Sequence, residues 1–242
     1  MAAELSDIDA VIVPGGFGAR GVDGKLAVVK HCRENGLPYL GICLGFQVAV
    51  IEYARNVLGL DDAASTEFDP DSANTVISEL PEQKKIEGLG GSMRLGAQDV
   101  TLGTDTLASF LFSGHGSIRE RFRHRYEVEP EFIDRLTDAG LIFSGRHPTQ
   151  PIMQMLELTQ PGGEGDGEPT GPTHPFFLAA QFHPELTSRP LAPQPMFMGL
   201  CAAAIARRVA LGPRANETDA PKEVSSLVKR WIRSPRKRTQ PA

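Results

Sequence analysis

Cys43 stands between two glycines in Gly41-Ile42-Cys43-Leu44-Gly45, and a sulfur so placed could attack an amide carbon. The apolar run Leu37 to Ile42 reads as a short buried strand that ends at the cysteine. Beyond it Phe46, Val50, Tyr53, Ala54, Val57 and Leu58 recur at helical spacing, and Gly59 stops the helix. Strand, tight turn and helix with a nucleophile at the corner is the geometry of a nucleophile elbow. The flanking glycines permit the sharp bend and leave room for a substrate. At a helix N-terminus the unpaired N–H groups and the helix dipole favour a thiolate. The competing reading is a small buried hydrophobe, and the pentapeptide alone does not separate the two.

A cysteine nucleophile needs a base to take and return a proton, and the base needs an orienting group. Phe182-His183-Pro184-Glu185, at the end of the apolar run Phe176–Phe182, offers both. In extended chain, side chains two apart point the same way, so His183 and Glu185 can share a face and the acid can fix the imidazole tautomer. A histidine there, taken alone, is equally a packed or solvated residue. A third component is Pro14-Gly15-Gly16-Phe17-Gly18, after the strand-like Ala10-Val11-Ile12-Val13. It is either a plain strand-to-helix loop or a set of backbone N–H groups aimed at an oxyanion. Neither the P-loop pattern nor GxGxxG is present in it.

The elements that must carry these residues follow from periodicity. Lys25 to Asn35 reads as a helix with Leu26, Val29 and Cys32 inward and Gly36 as its C-cap. Strand, helix, strand and helix at this spacing predict a parallel sheet with crossover helices. Ser65-Thr66-Glu67-Phe68 opens an irregular polar stretch running to Lys85, in which Glu67 is a solvated acid or a substrate contact. Met93, Leu95, Val100 and Leu102 suggest a more antiparallel section. Ser117 to Tyr126 carries Arg119, Arg121, Arg123, His124 and Arg125 and reads mostly as a solvated charged loop; a subset could clamp a carboxylate. Pro130 to Ala139 is a short helix, Leu141–Ser144 and Ile152–Leu158 are strands, and Gln160 to Pro175 reads as a mobile Gly/Pro-rich surface loop. An alanine-rich helix from Phe197 to Leu211 closes at Gly212-Pro213, and a basic, disordered tail is expected after it.

Composition narrows the classes. The 242 residues are enough for one α/β domain with appendages. With 40% hydrophobic and 23% charged residues the chain reads as an ordinary soluble globular protein, and its net charge of −5 gives no reason to expect a general nucleic-acid binder. Three widely spaced cysteines, Cys32, Cys43 and Cys201, argue against a disulfide framework or a paired-cysteine zinc site, so no metal is expected. No apolar run reaches membrane-spanning length and no signal-peptide pattern opens the sequence, so the cytoplasm is the expected compartment.

Taken together, Gly41-Ile42-Cys43-Leu44-Gly45 and Phe182-His183-Pro184-Glu185 resemble the class I, or triad, glutamine amidotransferases. Further blocks narrow the resemblance to the glutaminase domains of CTP synthases: Pro14–Gly18, Gly41–Gln47, Tyr53–Leu60, Ser65–Phe68, Met93–Gly96, His124–Val128 and Gln181–Glu185. They run in family order over most of the chain to about residue 200. The resemblance implies an α/β, flavodoxin-like amidotransferase fold over residues 1–212, with 213–242 as the polar, basic tail. It also implies that Cys43 attacks the glutamine carboxamide, that His183 steered by Glu185 moves the protons, and that Gly16 and Leu44 hold the oxyanion. Gly45, Phe46, Gln47, Glu67 and Arg125 fall at glutamine-binding positions, with Arg125 near the α-carboxylate.

In that family ammonia passes to an ATP-dependent synthetase domain that aminates UTP to CTP, with GTP as activator. L-glutamine is the implied substrate. The synthetase domain, in cis or in trans, is the implied partner, and a homo-oligomer is implied for the parent enzyme. No cofactor is expected in this chain, since ATP, Mg and UTP belong to the synthetase. Two departures stand out: Phe46 replaces the usual Met, a change expected to reshape the pocket wall modestly, and the chain starts near the family's third strand, so the opening strand–helix–strand is expected to be lacking. Another triad amidotransferase, a γ-glutamyl hydrolase and a non-catalytic interaction module are the alternatives.

Overall fold

The computed structural model describes residues 2–79, 93–160 and 171–212. The basic tail, the centre of the Gly/Pro-rich insertion and the end of the polar stretch before Lys85 lie outside the described residues. A short helix α1 (Ala2–Leu5) precedes β1 (Val11–Val13). Helix α2 (Val22–Asn35) follows and ends at Gly36, whose φ of 60° is the left-handed conformation a C-capping glycine adopts. Leu26, Val29 and Cys32 face inward, as their spacing predicts.

β2 (Tyr39–Ile42) is buried at all four positions because it is sandwiched laterally between β1 and β10 (Phe177–Ala180), parallel to both. Side chains alternate across it and across β10. Tyr39, Phe177 and Ala179 enter one core, with α2, α3 (Leu44–Asn56) and α5 (Pro130–Asp138). Leu40, Ile42, Leu178 and Ala180 enter the opposite core, with α4 (Leu107–Leu111) and α6 (Pro195–Leu211). Helices therefore cover both faces of the sheet.

The expected parallel sheet holds only for these three strands. β9 (Met153–Leu158), β8 (Leu141–Arg146), β5 (Arg94–Leu102) and β6 (Ser117–His124) continue it in antiparallel fashion, giving the order β1-β2-β10-β9-β8-β5-β6. The fold is thus a mixed α/β sheet. β8 and β9 are joined directly by a short connection, which dictates antiparallel pairing without a crossover helix.

Two segments read as irregular are strands. Within the polar stretch, β3 (Ala64–Ser65) and β4 (Thr75–Ser78) join β7 (Glu127–Val128) in a small second sheet of order β3-β4-β7. The basic segment Ser117–His124 is the long edge strand β6, paired with β5 from Thr101↔Ser117 to Arg94↔His124. Its period-two pattern was written in the sequence: Glu120, Phe122 and His124 are buried while Arg119, Arg121 and Arg123 are exposed. Although β6 ends the strand order, the His183 N–H donates to the Arg121 carbonyl at 2.8 Å. The sheet therefore curls until its last strand meets the chain leaving β10.

The insertion after β9 is anchored where it returns. His174 is fully buried, its Nε2 lying 2.9 Å from the Cys32 carbonyl and its Nδ1 accepting from the Phe176 N–H at 3.1 Å. Two such bonds require the neutral ring protonated at Nε2, and burial pushes its pKa down to about 4.

Candidate active site

The elbow is built by close backbone contacts that only glycine allows. A Cβ on Gly45 would lie 2.1 Å from the Val13 carbonyl oxygen, and one on Gly41 would lie 2.8 Å from the backbone of Gly45. The Tyr39 hydroxyl donates to the Gly45 carbonyl at 2.8 Å and locks the corner from below. These contacts press the start of α3 onto β1 and force Cys43 to φ 53° and ψ −102°, outside the usual L-residue regions. Such a conformation costs on the order of 1–3 kcal/mol and persists only where its surroundings over-determine it. The Cys43 N–H donates to the Ala180 carbonyl at 2.8 Å, so the strained residue is tied to β10, the strand that delivers the histidine.

His183 follows β10 by three residues. It does not share an extended strand with Glu185: Pro184–Leu186 is a 3-10 turn, and the turn brings the two together. His183 Nδ1 lies 2.6 Å from Glu185 Oε1, while Nε2 is buried without a hydrogen-bond partner among the described residues. The glycine loop completes the arrangement. A Cβ on Gly15 would meet His183 Cε1 at 2.9 Å and Cys43 Cβ at 3.4 Å, so the sulfur-bearing residue and the imidazole converge on one point of that loop. Gly16 lies over Leu44, whose Cδ2 would be 3.2 Å from a Cβ there.

The electrostatics correct one expectation. Burial pushes the Cys43 thiol up to about 12, against the opposing backbone N–H of Leu44, and the carboxylates of Glu185, Glu67 and Glu127 raise it further. The resting sulfur is a thiol, whose Sγ lies 3.8 Å from the Arg123 carbonyl as a weak donor. A thiolate could form from it only by proton transfer to a base.

The other sequence-derived positions fall around this centre in different ways. Glu67 accepts from the Gly18 N–H at 2.7 Å through Oε1, so it holds the glycine loop. Gln47 is buried; its Nε2 donates to the Tyr126 carbonyl at 3.3 Å and to Gln181 Oε1 at 3.2 Å. Arg125 is exposed on the turn between β6 and β7. Phe46, on α3, is fully buried in the core. Gly45 acts through the close approach to β1 already described.

Several supporting residues escaped the sequence reading. Glu127, fully buried, accepts from Arg94 Nε at 3.0 Å and lies 2.8 Å from His124 Nε2, bracing the turn that carries Arg125. Arg121 and Arg123 contribute main-chain carbonyls, not guanidinium groups, to His183 and Cys43. The alternation along Ser117–His124 could have signalled a strand, but not these contacts. Among the described residues no cluster of three or more His, Cys, Asp or Glu could hold a metal ion, and no helix is long and apolar enough to cross a membrane.

A strained cysteine at a strand–helix corner, a bonded His–Glu pair and a glycine loop between them thus come together on a mixed α/β sheet. Residues 1–165 match the family described as glutamine amidotransferase class-I, and the chain belongs to that family. Within it, the chain is 51% identical over 84% of its length to the CTP synthase of Haloarcula marismortui and 50% identical over 83% to that of Methanopyrus kandleri. It spans about a third of the length of these curated relatives, 34% and 35% respectively. The glutaminase domain of Trypanosoma brucei CTPS, solved with bound acivicin, superposes with a TM-score of 0.73 at 36% identity, covering 91% of this chain and 78% of that one. The chain is therefore a class I glutamine amidotransferase domain of the CTP synthase glutaminase type.

Proposed function

We propose that this chain hydrolyses L-glutamine to glutamate and ammonia through Cys43, His183 and Glu185. Glutamine enters with its carboxamide carbon over Cys43 and its α-carboxylate toward Arg125, a guanidinium suited to bidentate pairing. His183 Nε2 takes the thiol proton as sulfur bonds to the carboxamide carbon. The tetrahedral oxyanion is held by the N–H groups of Gly16 and Leu44. The carbon–nitrogen bond then breaks, His183 returns the proton to nitrogen, and ammonia leaves a γ-glutamyl thioester. Water, deprotonated by His183, attacks the thioester, and the regenerated thiol releases glutamate. Glu185 fixes the tautomer and stabilises the imidazolium. No step requires a cofactor or metal.

By likeness to the CTP synthases, the ammonia serves the ATP- and Mg-dependent amination of UTP to CTP by a synthetase domain, in cis or in trans, with GTP as activator and the oligomer of the parent enzyme as the setting. The observation that carries the hydrolytic reading is the convergence of Cys43 and His183 on Gly15, with the histidine's other nitrogen already bonded to Glu185. The test is ammonia release from glutamine together with labelling by a chloroketone analogue of glutamine, in which a sulfur–carbon bond forms and chloride departs. Labelling is expected on Cys43 and not on Cys32 or Cys201, and Cys43→Ala is expected to abolish both signals. Undiminished ammonia release by Cys43→Ala refutes the mechanism.

A further inference from the structure

We propose that Glu120, an inward-facing residue of β6, positions the His183–Glu185 turn for catalysis; this rests on the hydrolytic reading above. Its carboxylate is 5% exposed and both oxygens are occupied: Oε2 accepts from Thr187 Oγ1 at 2.9 Å and Oε1 from Gln194 Nε2 at 2.8 Å. Thr187 caps the 3-10 turn that carries Glu185, and its hydroxyl also lies 3.1 Å from the Pro184 carbonyl. Gln194 caps α6, its Oε1 accepting from the Met196 N–H at 2.9 Å, and its own N–H donates to Ser188 Oγ at 3.2 Å. One carboxylate thus ties both ends of the 187–194 segment to β6.

The neighbouring residue on the same strand supplies the second anchor, the Arg121 carbonyl that accepts from the His183 N–H at 2.8 Å. The catalytic turn is held at its start by a main-chain bond and at its end by Thr187 and Glu120. Glu185 itself is about half exposed, with a side-chain accessibility of 48%, and it bonds to His183. Its aim is therefore set by the turn and not by packing. A buried carboxylate is costly unless its partners are well placed, and burial raises the proton affinity of this one. Apolar packing could join the strand to the turn without that cost, whereas directed bonds from both oxygens also dictate orientation.

Thr187→Val and Glu120→Gln, in the full chain, test the role. Each is expected to lower kcat for glutamine hydrolysis by about ten- to a hundredfold, the loss that displacements approaching 1 Å produce. The KM for glutamine is expected to stay within about twofold, because neither residue touches the substrate. Thr187→Ser, which keeps the hydroxyl, is expected to restore kcat to within about threefold of wild type. Wild-type kcat in both Thr187→Val and Glu120→Gln overturns the proposal. So does a loss of kcat that follows a lowered melting temperature in both variants without recovery in Thr187→Ser. A wild-type chain that neither releases ammonia nor is labelled at Cys43 overturns the hydrolytic reading and this one with it, whereas an active wild type with unaffected variants overturns this one alone.

Discussion

Gly15→Ala is the smallest change that reaches the chemistry without touching a reacting atom. The added methyl would lie 2.9 Å from His183 Cε1 and 3.4 Å from Cys43 Cβ. Favourable carbon–carbon separations begin near 3.5 Å, so the imidazole has to retreat by about 0.5 Å. It is not free to do so as a whole: its backbone N–H is bonded to the Arg121 carbonyl and its Nδ1 to Glu185. The strain therefore goes into tilting the ring, and the displaced atom is Nε2, the proposed proton carrier. Since a misplacement of about 1 Å costs about a hundredfold, half of that is expected to lower kcat about tenfold with little change in KM. Gly24→Ala, in α2, is the control. A Cβ there meets nothing within 4 Å, so it is expected to gain about 0.5–1 kcal/mol of stability and leave the rate unchanged. Steady-state ammonia release and thermal melting of both variants decide the matter. Wild-type kcat in Gly15→Ala would refute the convergence of His183 and Cys43 as the catalytic geometry.

Two further outcomes can be checked independently. His183→Ala is expected to cost at least about a hundredfold in rate and more than Glu185→Ala, because the first removes the proton carrier and the second only its orientation; equal wild-type rates in either would show the pair to be structural. The pH dependence of stability is expected to contain two opposed contributions. Burial lowers His174 from 6.5 to about 4, so its contribution is present above pH 6.5 and is lost as pH falls toward 4. Burial raises Glu157 from 4.5 to about 7 despite the N–H groups of Leu107 and Ala108, so its contribution is present below pH 4.5 and is lost as pH rises through 7. Glu157→Gln removes the second contribution, and urea midpoints are expected to climb more steeply between pH 4.5 and 6.5 than in wild type. An unchanged slope would refute the assignment.

The parts of the site that lie close together in sequence were legible. Gly41, Cys43 and Gly45 announce an elbow because the glycines are demanded by contacts within one strand–helix corner, and His183 with Glu185 announces a bonded pair. The geometry bringing that pair together was misread, since Pro184 starts a 3-10 turn where an extended strand was expected. β6 was missed because arginines on its exposed face dominate the composition, although Glu120, Phe122 and His124 alternate with them as a half-buried strand requires. β4 was hidden by its length, four residues inside a polar stretch, with one pairing partner a two-residue strand and the other some fifty residues away. Sheet curl is not a local property at all. No periodicity in Ser117–His124 indicates that its free edge returns to meet the chain after β10.

The sulfur shows why local reading overshoots on chemistry even where it succeeds on position. A cysteine at a helix N-terminus is expected to ionise easily, because N–H groups face it. Here the Leu44 N–H does act in that direction, yet it is outweighed by the burial that the elbow itself creates. The glycine contacts that force Cys43 into its strained corner also remove it from water, leaving it 5% exposed, while three carboxylates add their repulsion. Position and ionisation thus pull against each other. A thiol pushed up to about 12 is a poor nucleophile at neutral pH. It becomes competent only when a base accepts its proton in step with attack. In the proposed mechanism that base is His183, whose buried Nε2 has no hydrogen-bond partner among the described residues, and Glu185, 2.6 Å from Nδ1, stabilises the imidazolium. Two anchors, the Arg121 carbonyl and the Glu120–Thr187 bond, then hold the turn on which that proton transfer depends.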